Sequence, residues 1–73
     1  MFLSDINEKQ SAVISKINIS DDFSRRLCDM GFIKGEKVIC IRKALFSSPI
    51  LFSVKGSEVA LRKKDADKIE VVL

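Results

Sequence analysis

Apolar and polar residues alternate in several short runs along the chain, which is the pattern of strands that bury one face. In the clearest run, Ile50, Phe52 and Val54 occupy every second position. Gly56 marks a tight hairpin turn after this run, and β-branched residues are frequent in the other runs. The pattern predicts five strands, over residues 11–17, 38–42, 50–55, 58–62 and 69–73.

The period changes between residues 20 and 31, where one apolar stripe recurs at helical spacing. Its members are Phe23, Leu27 and Met30, at positions i, i+4 and i+7. Ser20 is a suitable N-cap, and Gly31 suits the left-handed residue that ends many helices. We therefore expect an amphipathic helix that begins after Ser20, ends at Gly31 and buries this stripe.

These elements fit a single domain over residues 1–73, because a chain of this length holds one modest core. Five short strands, with one α-helix inserted after the first, predict a mainly β fold. In that fold a strongly bent sheet closes into a small five-stranded barrel. Residues 63–68 are too few and too polar to form more than one helical turn.

The net charge of +3 is unevenly distributed along the chain. From Arg25 to Leu73, eleven basic residues stand against six acidic ones, which favours an acidic partner surface. The apolar runs fall far short of the ~20 residues that a membrane-spanning helix needs. The first residues lack the basic and apolar regions of a secretory signal, so we expect a cytoplasmic location and no direct membrane insertion.

Two cysteines, Cys28 and Cys40, are too few for a disulfide-stabilised scaffold, and we expect both to be reduced. Cys40 alternates with Val38 in an apolar run. This placement favours a small core residue over a reactive thiol. Cys28 lies in a charged segment, and the sequence pattern assigns it neither to the core nor to the surface.

The chain contains no histidine, which removes the commonest general base and the commonest metal ligand. It has no nucleotide-binding glycine motif and no paired-cysteine metal motif. Its serines, cysteines and lysines have no recognisable activating partner. We therefore expect no catalytic residue, no metal-binding residue and no cofactor.

The densest basic cluster consists of Arg62, Lys63 and Lys64. Such a cluster suits contact with an acidic protein or a phosphate group, and it also occurs as an ordinary solvated strand end. The helix face around Arg25 and Arg26 is the next candidate contact region.

A second candidate contact is the predicted loop that contains Leu45 and Phe46. A large exposed aromatic residue in a loop suggests a binding anchor. The alternative is that Phe46 folds over one end of the barrel. The hypothesis of partner binding therefore names Leu45, Phe46, Arg62, Lys63 and Lys64.

From Arg25 to Gly35 the sequence reads RRLCDMGFIKG, which resembles the helix-turn signature of the ferrous-iron transport protein A family. Further segments follow the order and spacing of the same family, namely residues 3–6, 44–45, 49–50, 59–63 and 66–71. The resemblance covers essentially the whole chain. One departure is at Glu8 and Lys9, where the family often has Pro-Gly.

The resemblance implies an SH3-like barrel and a small cytosolic accessory of ferrous-iron uptake. Its implied partner is the cytosolic domain of the membrane GTPase that imports ferrous iron. The residues themselves leave a second possibility, a nucleic-acid- or ribosome-associated SH3-like module that uses the basic strand end. Nucleic-acid binding of that kind normally needs exposed stacking aromatics, and the chain has no tyrosine or tryptophan. We therefore expect a protein partner.

Overall fold

A computed structural model describes residues 1–18, 22–44 and 48–73, and for Phe23 it describes the backbone. The elements, in chain order, are a 3-10 turn (Leu3–Asp5), β1 (Ser11–Ile17), α1 (Asp22–Asp29), β2 (Lys37–Lys43), β3 (Ile50–Val54), β4 (Ser57–Leu61), α2 (Lys63–Ala66) and β5 (Ile69–Val72). No helix in these residues is long and apolar enough to cross a membrane. The predictions for Ser20, the Phe23 side chain, Leu45 and Phe46 lie outside the described residues.

The five strands form one antiparallel sheet in the order β4-β3-β2-β1-β5. The predicted mainly β fold of five strands with an inserted helix is confirmed. The expected closure of the barrel is not found, because β4 and β5 stay unpaired with each other as the two edges of the sheet. The sheet bends at two register shifts, one between Ile14 and Lys16 and one between Cys40 and Arg42. Such bulges increase the local twist of a sheet.

The predicted tight hairpin turn between β3 and β4 is confirmed, and its loop has two residues. Its residues, Lys55 and Gly56, both have positive φ, at 50° and 80°. This combination defines a type I′ turn, whose twist matches that of the flanking strands. Val54 therefore pairs directly with Ser57, and this pair sets the register of the whole of β4.

Helix α1 ends in a Schellman motif. The Phe32 amide donates to the Leu27 carbonyl at 2.9 Å, and the Gly31 amide donates to the Cys28 carbonyl at 3.0 Å. Gly31 has φ +106°, a conformation that favours glycine. The motif turns the chain so that Phe32 and Leu27 are both fully buried in the core.

The prediction that Met30 is buried with Leu27 is wrong, because Met30 is 37% exposed. Met30 is exposed because the helix has ended before it. Met30 follows the last residue of α1, Asp29, so helical spacing no longer places it on the buried face. Phe32, two residues further on, is fully buried in the core.

The core is a single cluster formed by the inner faces of the strands together with the 3-10 turn and α1. It includes Leu3, Ile6, Ile14, Leu27, Phe32, Val38, Cys40, Ile50, Phe52, Val54 and Ile69. Phe32 and Phe52 meet edge to face, with ring centroids 6.5 Å apart and an interplanar angle of 87°. This geometry is favourable because the positive edge of one ring points at the negative face of the other.

The two cysteines are expected to differ sharply in reactivity. Cys28 is exposed, whereas Cys40 is fully buried in the core. Burial raises the pKa of the Cys40 thiol, with Lys43 lowering it and Glu8 raising it to smaller extents. Since the thiolate is the nucleophile, iodoacetamide should modify Cys28 in the native protein and leave Cys40 intact until denaturation. Mass spectrometry of the digested adduct checks this, and early labelling of Cys40 would contradict the core assignment.

Candidate partner-binding groove

An open groove of about 730 Å³ lies between the end of α1, the edge strand β4 and the short helix α2. Its position follows from the open sheet. Strand β4 pairs on one side with β3, and its other side faces the groove. The groove has the volume of a typical small-ligand or peptide site, for which roughly 300–1,000 Å³ is usual.

The groove has an apolar lining contributed by α1's end and by β4. Met30, Val59, Ala60 and Leu61 line it. Met30 and Ala60 are exposed, Val59 is half-buried against the core, and Leu61 is buried. An apolar side chain of a partner could therefore lie against Met30 and Val59 and be shielded from water, which favours binding.

Charged side chains surround this apolar lining. Arg26, Arg62 and Lys64 are the cations, and Asp29 and Asp65 are the carboxylates. Within the described part of the chain, the salt bridges lie elsewhere, between Lys55 and Glu36 at 3.7 Å and between Lys63 and Asp67 at 3.3 Å. The groove thus carries a net positive charge, and its cations are not neutralised by those pairs.

The structure divides the predicted basic cluster. Arg62 and Lys64 line the groove, and they are joined there by Arg26 from α1. Lys63 is not among the lining residues and instead pairs with Asp67, four residues further along. Leu45 and Phe46 lie outside the described residues, so their proposed contact stays a prediction.

Asp67 connects α2 to the N-terminal turn. The Ser4 hydroxyl donates a hydrogen bond to the Asp67 carboxylate, and the Lys63 ammonium donates another at 3.3 Å. The bond from Ser4 is the largest cause that holds the pKa of Asp67 below its ordinary value, and Lys63 lowers it further. These two hydrogen bonds to Asp67 hold α2 against the N-terminal turn. Lys64 of α2 lines the groove.

The outer edge of β4 offers unpaired backbone groups to the groove. A two-residue hairpin loop closes on a hydrogen-bonded pair, here Val54 and Ser57, and the pairs then alternate along the ladder. Glu58 and Ala60 therefore fall in non-hydrogen-bonded pairs with β3, and their N–H and C=O groups point outward. In the described ranges, these groups have no other backbone partner.

Sequence reasoning missed two features of the groove. Met30 was expected to be buried, although its position beside the helix-ending Gly31 could have indicated that it leaves the helical stripe. The free edge of β4 was not predicted, because in the expected closed barrel β4 would be paired on both sides. Arg26 was named as the next candidate contact, and it lines the groove together with Arg62.

Residues 1–18, 22–44 and 48–73 contain no group of three or more histidine, cysteine, aspartate or glutamate side chains placed to hold a metal ion. The donor set also lacks imidazole, since the chain has no histidine. What the groove can supply chemically is apolar contact, cationic side chains and backbone hydrogen bonds. This is the chemistry of binding a protein segment.

An open five-stranded antiparallel sheet with an inserted helix and a lateral groove defines a small SH3-like domain. The profile of the FeoA domain matches residues 1–73. The chain belongs to the FeoA domain family, which is associated with Fe(2+) transport. The resemblance seen in the sequence is thereby confirmed.

Two relatives each match over all 73 residues at 33% identity. One is an Fe(2+) transport protein A/Fe(2+) transporter FeoB fusion protein of Porphyromonas gingivalis, of which the chain covers 9%. The other is a Campylobacter jejuni protein assigned as an Fe(2+) transport protein A, of which the chain covers 99%. The chain therefore corresponds to a small part of the first relative and to nearly all of the second.

Solved structures show the same fold. The iron(II) transport protein A of Clostridium thermocellum superposes with a TM-score of 0.95 at 32% identity, over the whole of this chain and 45% of that chain. The zinc-complexed FeoA of Stenotrophomonas maltophilia gives a TM-score of 0.86 at 33% identity, over 97% of this chain and 88% of that chain. That protein is described as a prokaryotic SH3-domain protein and a candidate activating factor for ferrous-iron transport.

Proposed function

We propose that this chain is a cytoplasmic accessory of ferrous-iron uptake that binds the cytosolic GTPase domain of the membrane transporter FeoB. The fusion in Porphyromonas gingivalis supports this proposal, because it holds an FeoA unit and an FeoB unit in one polypeptide. A covalent linker raises the effective concentration of one module near another, often to millimolar, so fusion benefits partners that must meet. The chain itself acts by binding and carries out no catalysis.

The observation that carries the proposal is the groove, with its apolar lining and its excess of cations. Met30 and Val59 can bury a partner's apolar side chain, which mainly slows dissociation. Arg26, Arg62 and Lys64 can attract an acidic surface, which mainly speeds encounter. The two contributions can therefore be separated by kinetics.

The double variant Arg62→Glu with Lys64→Glu is expected to slow association with FeoB's cytosolic domain by about tenfold at low salt. The reason is that two of the groove's three cations become acidic. The defect should shrink as salt rises, since the screening length falls to about 10 Å at 0.1 M. Surface plasmon resonance over a salt series gives both rate constants.

The matched control is Lys34→Glu with Lys68→Glu, which changes the total charge equally but at exposed positions outside the groove. It should retain most of the association rate. Equal slowing by both double variants would show that net charge, and not the groove, governs encounter. If the unmodified chain does not bind FeoB's cytosolic domain, the proposed function is wrong. Salt-sensitive binding to generic RNA in the same assay would favour the nucleic-acid alternative.

A further inference from the structure

We propose that the groove binds its partner by strand addition: an extended acidic segment pairs with the free edge of β4 and lies between that edge and α1. The inference deepens the proposed function, on which it rests for the location of the binding site, by naming the chemistry and conformation of the bound segment. Strand addition to an exposed sheet edge is a general mode of peptide binding, in which main-chain hydrogen bonds supply affinity.

The outer edge of β4 has backbone groups that an added strand could pair with. Glu58 and Ala60 direct their N–H and C=O groups away from β3, and no other backbone group in the described ranges meets them. Edge strands in folded domains are usually protected by short length, charge, proline or a covering element. Strand β4 carries one such charge at this edge, Glu58, whereas Ala60 is uncharged and exposed.

The groove has two walls. The edge of β4 forms one, and the end of α1, with Met30 37% exposed, forms the other. An added strand would turn alternate side chains towards Met30 and the others towards solvent. The segment should therefore alternate between apolar residues, which face α1, and polar residues.

The charge of the groove lining favours an acidic segment. The lining contains three cations, Arg26, Arg62 and Lys64, against two carboxylates, so the polar residues of the segment should be mainly acidic. Opposite charges on neighbouring strands stabilise pairing and like charges oppose it. An acidic residue is therefore expected near Arg62, and it is disfavoured directly opposite Glu58.

A second copy of this chain fits the groove less well. Its own β4 would arrive with α1 beside it, and it would bring a second lining of net positive charge into the same space. A thin segment avoids both the second helix and the added positive charge. The observations therefore favour a peptide of the partner over self-association.

The direct test uses the whole chain and a capped synthetic peptide of about six residues, the usual strand length, in which valine alternates with glutamate. Amide hydrogen exchange followed by NMR should show slower exchange at Glu58 and Ala60 when the peptide is added. The same peptide with lysine in place of glutamate should bind at least tenfold more weakly. Unchanged exchange at Glu58 and Ala60 in the presence of saturating peptide would overturn the proposal, and so would protection that depends on protein concentration without peptide.

A backbone variant tests the hydrogen bonds separately. Ala60→Pro removes an N–H that faces away from β3, a position at which edge strands tolerate proline. It should weaken the glutamate peptide about tenfold or more, while Ala60→Ser, which is similar in size and keeps the N–H, should bind normally. Equal affinity of a folded Ala60→Pro variant would contradict strand addition, and if that variant does not fold, the exchange measurement decides.

The two proposals can fail independently in these experiments. If FeoB's cytosolic domain binds through Arg62 and Lys64 but is indifferent to Ala60→Pro, strand addition is wrong and the proposed function stands. If the glutamate peptide protects Ala60 while FeoB's domain does not bind, the strand-accepting edge is supported and the proposed partner is wrong.

Discussion

Leu27→Ala is expected to lower the free energy of unfolding by about 2–5 kcal/mol, which is the usual cost of truncating a buried leucine. Leu27 is fully buried, and among the described side chains of α1 it is the one that joins the core cluster. Its carbonyl also accepts the Schellman hydrogen bond from Phe32. Since domains of this size have only ~5–15 kcal/mol of stability, the variant should be largely unfolded or melt far below the unmodified chain.

Met30→Ala is the matched control for this prediction, because Met30 lies three residues further on and is 37% exposed. It should change stability far less, near the ±0.5 kcal/mol that is common for surface substitutions. Thermal melting followed by circular dichroism compares the two. Equal melting temperatures for Leu27→Ala and the unmodified chain would show that α1 does not pack on the sheet as described.

Phe52→Ala is expected to be at least as damaging, at about 3–5 kcal/mol. Phe52 lies in the middle of β3, between β4 and β2 on the sheet's inner face, and it is fully buried. Loss of its ring would remove the edge-to-face contact with Phe32 and leave a cavity in the core. Phe2→Ala removes the same side chain at a position 38% exposed and should cost much less.

Urea denaturation measures both phenylalanine variants against the unmodified chain. The account predicts a large fall in the transition midpoint for Phe52→Ala, with a much smaller one for Phe2→Ala. The reverse order would mean that the core is centred on the N-terminal turn and not on β3. A domain of this size loses roughly 4–8 °C of melting temperature for each 1 kcal/mol, so the two variants are easily distinguished.

The strands and the helix could be predicted because local signals determine them. Gly56 supplies the second positive φ of a type I′ turn, and alternation on either side then fixes the inner faces of β3 and β4. Gly31 ends α1 in the expected left-handed conformation. The glycine that the family often has at position 9 is also explained locally, since Lys9 has φ +69°, which glycine adopts more easily.

The groove could not be predicted in the same way, because it depends on how distant elements are placed. Arg26 and Arg62 belong to different elements and line one surface because α1 ends beside β4. Alternation in β4 predicts which side chains face the core, but it cannot show whether the other edge of the strand is paired. Met30 was misplaced because helical periodicity was continued past the last helical residue, Asp29.

We propose that the groove between α1 and β4 is the surface that meets the transporter. The most direct test of this proposal is NMR of the labelled chain during titration with the cytosolic domain of FeoB. We expect the amide signals of Met30, Ala60 and Lys64 to shift or broaden first. Those of Val13 and Val72, an exposed pair on β1 and β5, should stay unchanged. Perturbation that centres on Val13 and Val72 and spares the groove would contradict the account.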